Sequence, residues 1–147
     1  MAERTESNTL INARPGAILD AIADFDSYPQ WSGEVKKTAV ISEDGDGWAS
    51  RVEFTLDAGA LRDTYILEYD WDVAEDGTGV ISWTLVSGHV LKAMNGSYTL
   101  EANGTGTAVT YRLSVDVKIP MLGVLKRKAE KVIIDTALTS LKRHVEA

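Results

Sequence analysis

No cysteine occurs in this chain, which removes disulfides, thiol nucleophiles, zinc ribbons and thiolate-held clusters together. Histidine is nearly as scarce: His89 and His144 are the only two, and they fall on different predicted elements. A metal site would have to be assembled from carboxylates converging from elsewhere, so neither a metal nor a cofactor is expected. No apolar run approaches the ~20 residues of a membrane span, and the opening MAERTESNT lacks the apolar core of a secretory leader. A soluble, cytoplasmic protein is expected, with no stable membrane insertion. Basic charge is in deficit as well. Fifteen Lys and Arg against 22 Asp and Glu leave a net charge of −7, which disfavours electrostatic capture of nucleic acid or of an anionic membrane. Nor is there a Gly-x-Ser-x-Gly elbow, and the GTGT and DGTG stretches lie between predicted strands rather than ahead of a helix, so a serine hydrolase and a nucleotide-binding loop are both disfavoured.

What is present is a helix, a ladder of strands and a closing helix within one expected domain, residues 1–147. Thr5 to Asn12 reads as a short first strand. Arg14-Pro15-Gly16 opens a helix over Ala17 to Phe25, with Pro15 in the first turn and Ile18, Ile22 and Phe25 on one face. Tyr28-Pro29 is expected to end it, because the residue before proline is pushed out of the α region. Strands follow over Glu34 to Ser42, Trp48 to Ala58, Leu61 to Val73, Val80 to Val86, Val90 to Glu101 and Ala108 to Ile119. Glycine, usually beside Asp or Asn, sits at the breaks, Gly59-Ala60 among them, as hairpins require. Pro120 opens the last helix, where Leu122, Leu125, Ala129, Val132 or Ile133, Ala137, Leu141 and Val145 recur at helical spacing.

Alternation along the strands sorts the side chains. Trp48, Val52, Phe54 and Leu56 share one face, as do Asp63, Tyr65, Leu67, Tyr69 and Trp71. Ile81, Trp83, Leu85, Met94, Gly96, Tyr98, Leu100 and the odd-numbered residues from Val109 to Val117 continue it. Arg51, Arg62, Arg112, Glu68, Asp70 and Asp72 take the opposite face. A one-sided antiparallel sheet needs an apolar cover, and the C-terminal helix is long enough to supply it. The rings between sheet and helix fit two arrangements, a solid aromatic core and a cavity whose polar ring tips await a ligand.

The early helix running into DFDSYPQW, the GSYTL strand, the GTGTAVTYRLSVDV strand, Ile119-Pro120 and a terminal helix ending LTSLKRHVE together resemble the START-like (SRPBCC) superfamily, in particular its polyketide cyclase/dehydrase and lipid-transport group. The resemblance spans nearly the whole chain. It implies an α+β helix-grip fold, β-α-α-β6-α, with a curved antiparallel sheet wrapped around the long C-terminal helix and a deep cavity between them. Carried over by position, the ligand-binding wall comprises Phe54, Tyr65, Leu67, Trp71, Trp83, Tyr98 and Tyr111, with Leu125, Ala129 and Ile133 from the helix. Phe25, Tyr28 and Trp31 are then expected to close the barrel end.

The expected partner is a hydrophobic small molecule, either carried or folded by a cyclase or dehydratase chemistry in the same cavity. Asp63, on the inward face, and Tyr98 are the candidate catalytic groups for the second case, which lacks an inward cation to stabilise an enolate. Lys126, Arg127, Lys128 and Lys131 form a basic stretch that reads either as a solvated helix face or as a surface for transient docking to a membrane or protein. The chain is expected as a monomer or homodimer.

Overall fold

The computed structural model describes residues 5–57, 59, 62–119 and 122–147. Glycine-bearing turns join its strands into a meander. The order along the chain is β1 (Thr5–Ile11), α1 (Pro15–Ala23), a 3₁₀ turn (Phe25–Ser27), α2 (Tyr28–Trp31), β2 (Val35–Glu43), β3 (Ala49–Asp57), β4 (Arg62–Val73), β5 (Gly79–Gly88), β6 (Leu91–Asn103), β7 (Gly106–Val117) and α3 (Gly123–Glu146). All neighbours pair antiparallel in one sheet of order β1-β7-β6-β5-β4-β3-β2. The expected ends Ala58 and Leu61, the Ala60 turn position and Pro120 lie outside the described residues.

Alternation holds where the sheet is regular. Along β7, Val109, Tyr111, Leu113, Val115 and Val117 are buried while the residues between them are half-buried. Beneath lies α3, whose buried stripe is Glu130, Ile133, Ile134, Leu138 and Leu141. A curved antiparallel sheet gripping one long helix is the helix-grip arrangement, an α+β fold.

Gly96 shows how the aromatic layer is seated. It pairs with Trp83 across β5 and β6, and a Cβ there would lie 2.8 Å from the Trp83 ring and 2.6 Å from the Arg112 carbonyl. The missing side chain is the space into which the indole lies flat.

Two local expectations are corrected. Pro29 does not end the helical path: Tyr28 adopts φ −51°, ψ −46° and begins α2, with Pro29 in its first turn. The pre-proline preference is overridden by tertiary anchoring, since the buried Tyr28 hydroxyl donates to the Ile22 carbonyl. In α3, Leu122, Leu125 and Val132 are exposed; the apolar residues of the first two turns lie outside the buried stripe.

Candidate functional site

The DFDSYPQW stretch folds back over one end of the sheet. Phe25 is buried and meets Tyr28 at 5.1 Å between ring centroids, Tyr69 at 5.0 Å and Phe54 at 5.9 Å. Tyr28 in turn meets Trp31 at 4.9 Å. The rings continue across the sheet: Trp83 stands 5.5 Å from both Tyr98 and Tyr111, which meet each other edge-on at 4.6 Å. Offset and edge-to-face contacts of this kind favour ordered packing over a loose apolar interior.

Among these rings lies a cavity of about 70 Å³. That is several times the space one water needs, and far below the roughly 300–1,000 Å³ of a pocket for a drug-sized ligand. Phe54, Tyr65, Leu67, Trp83, Tyr98, Tyr111 and Ile133 line it, joined by Tyr28, Trp31, Ser32, Glu34, Val35, Leu56, Tyr69, Met94 and Ala137. Three expected wall residues stand elsewhere. Trp71 is half-buried, stacks on Trp48 at 4.8 Å and donates its indole N–H to the Ala49 carbonyl at 2.7 Å. Leu125 is exposed and Ala129 half-buried, both short of the stretch of α3 that reaches the cavity.

The polarity of the lining decides what it can do. Burial raises the phenols of Tyr28, Tyr65, Tyr69, Tyr98 and Tyr111 above their ordinary value of 10, so all five are neutral hydroxyls. Tyr28 is committed to Ile22. Among the described residues, Glu34 is the only acidic one in the lining. Desolvation raises its pKa from the usual 4.5, and the Thr136 hydroxyl on α3 acts in the opposite direction. Beside it, the indole N–H of Trp31 is buried without an acceptor. Trp31 also lines an outer groove between α2 and α3, with Gln30, Thr136 and Thr139, so one indole forms the wall between interior and surface.

Asp63 is buried but does not line the cavity. Its carboxylate accepts the amides of His89, Val90 and Leu91 at 3.1, 3.0 and 2.9 Å, and that of Thr64 at 2.8 Å. It ties β4 to the β5–β6 turn, and its lone pairs are spent on backbone. His89 is exposed on that turn. His144 stacks flat on Trp31, 5.2 Å apart at 8°, a contact that sequence spacing does not reveal. Arg51, Arg62 and Arg112 pair outside with Glu68, Asp57 and Glu6. Glu130, which the sequence reading did not single out, is buried. It accepts from the Thr5 hydroxyl and, at 2.7 Å, from the Val115 amide.

The family described as polyketide cyclase / dehydrase and lipid transport matches residues 2–146, and the chain belongs to it. Solved structures of the same fold include a START superfamily protein from Mycobacterium smegmatis, at TM-score 0.88 and 21% identity over 97% of each chain. A STAR-related lipid transfer protein from Xanthomonas axonopodis gives TM-score 0.79 and 14% identity, covering 98% of this chain and 86% of that one. The ZhuI aromatase/cyclase from a Streptomyces species gives 0.78 and 12%, covering 99% and 94%. No curated protein matches the chain. Family and fold together support hydrophobic-ligand binding or a polyketide cyclase-type role.

Two outcomes follow. Asp63→Ala strands three amides of the β5–β6 turn and should lower unfolding free energy in urea by about 2–4 kcal/mol; an unchanged midpoint would contradict the anchoring role. For Glu34 the sign is that of a raised carboxyl: its contribution to stability is present below its ordinary pKa and lost as pH rises through the folded one. The melting temperature of Glu34→Gln relative to the parent should therefore rise between about pH 4 and about pH 7, and a pH-independent difference would contradict the burial of this group.

Proposed function

We propose that this family member binds and carries a compact, ring-bearing hydrophobic molecule between the sheet and α3. The observation that supports this reading best is the polar capacity of an otherwise apolar interior: among the described residues the Trp31 indole N–H is buried without an acceptor, and it lines the same cavity as three neutral phenols and one carboxyl group. Such groups are costly to bury unless something satisfies them. A flat molecule with a hydroxyl or keto oxygen fits both the rings and their polar tips. A cavity of about 70 Å³ is too small to take it without movement, and Trp31, which separates cavity from outer groove, is the wall that gives way. Neutral phenols, and a lining without a cation among the described residues, favour holding the ligand over converting it.

A second reading has one observation in its favour. Glu34, with its raised proton affinity next to phenols, is a suitable acid or base for a cyclase or dehydratase acting on a polyketide. Tyr98 keeps its role as a candidate donor in that reading; Asp63, tied to backbone amides, does not.

Isothermal titration with 1-naphthol and with naphthalene tests the binding reading. Saturable binding with quenching of tryptophan emission is expected. The preference for the naphthol should fall about threefold to tenfold in Tyr98→Phe and in Glu34→Gln, the loss expected for one hydrogen bond. A panel of lipids and aromatic compounds that shifts neither emission nor melting temperature would sink it. Turnover of a poly-β-keto substrate abolished by Glu34→Gln would favour the enzyme.

A further inference from the structure

Six of the 15 Lys and Arg residues fall in two short segments, 86–94 and 117–134, against a single acid, Glu130. The rest of the chain holds nine Lys and Arg against 21 Asp and Glu. Folding brings the two segments together: the Lys118 amide donates to the Val90 carbonyl at 2.9 Å, and the Lys118 ammonium to the Gly88 carbonyl at 2.8 Å. Glu130 does not offset the local charge at the surface, because it is buried on Thr5 and Val115. Asp116 neutralises Lys126 at 2.8 Å and Asp135 pairs with Lys131 at 3.0 Å. Arg127 and Lys128 remain exposed beside them.

Apolar side chains stand in the midst of these cations. Ile119 is 75% exposed, Leu122 70%, Val124 62% and Leu125 49%. A merely solvated helix face explains the charges and leaves these four unexplained. We propose that this end of the molecule, Lys118 and Ile119 after β7 with Leu122 and the first turns of α3, docks on an anionic lipid surface. The apolar residues enter the headgroup boundary while Lys and Arg stems lie along it with their charges at the lipid phosphates and carboxylates. Charge complementarity selects this occupant: a chain of net charge −7 approaches an anionic surface through an end that is locally cationic and apolar, so binding is local and salt-sensitive.

Flotation with phosphatidylcholine vesicles, with and without about 30% phosphatidylserine, tests the surface. Binding is expected only to the phosphatidylserine vesicles, weakening at least about tenfold between roughly 20 mM and roughly 500 mM salt. Arg127→Glu with Lys128→Glu, and separately Leu122→Ser with Val124→Ser, should each reduce binding about tenfold without changing the melting temperature, since these side chains are exposed. Lys37→Glu, an exposed charge on β2, should reduce it far less. Absent binding at low salt overturns the proposal and leaves the patch to a protein partner. Equal binding to neutral vesicles, or binding that survives both double substitutions, overturns it too.

Discussion

A β-strand turns successive side chains to opposite faces, and in this chain that alternation places nearly every ring on the side roofed by one helix. The rest follows from this constraint. One helix cannot fill the concave face of seven strands, so the aromatics must pack against each other as well as against Ile133, Ile134, Leu138 and Leu141. They do so through edge and offset contacts that run from Phe25 through Phe54 and Tyr69 to Trp83 and Tyr111. Phe25, Tyr28 and Trp31 close the end that sheet and helix leave open.

The same packing sets the chemistry. Because the rings meet, the free space shrinks to about 70 Å³. Because they are buried, the phenols stay protonated and the interior offers hydroxyls rather than charges. The sheet arginines Arg51, Arg62 and Arg112 lie on the wet face, paired with acids. Glu34 is the charged-type exception in that interior, carried to the cavity lining by the chain that leaves α2 and partly desolvated there. A site of this composition suits recognition of a polar atom on an apolar skeleton better than stabilisation of a developing anion.

Much of the fold was legible because two independent signals agree: glycine at the breaks and period-two alternation between them. The inward face of β3 to β7 was legible for the same reason, whereas a cavity among its rings was implied only by the family resemblance. Glu34 was not, because β2 is an edge strand with little alternation and irregular register against β3, so its first residues carry no facing information. Trp71 has inward parity but lies over Trp48, away from the cavity; parity gives a face and not a position along it. Helical spacing left Val132 and Ile133 as alternatives, and α3 settled on Ile133 with Ile134. Glu130 escaped notice since a buried carboxylate is recognisable only through its partners, Thr5 and Val115, which are remote in sequence.

The central claim is that the ring-lined space between sheet and α3 admits a molecule although only about 70 Å³ of it is free. A crystal structure determined in the presence of 1-naphthol tests it most directly. The account predicts density for the ligand among Tyr65, Trp83, Tyr98 and Tyr111, its oxygen near Glu34 or the Trp31 N–H, and the Trp31 indole displaced toward the outer groove. Rings unmoved around an empty interior, with the compound absent or bound only on the outside, would contradict it.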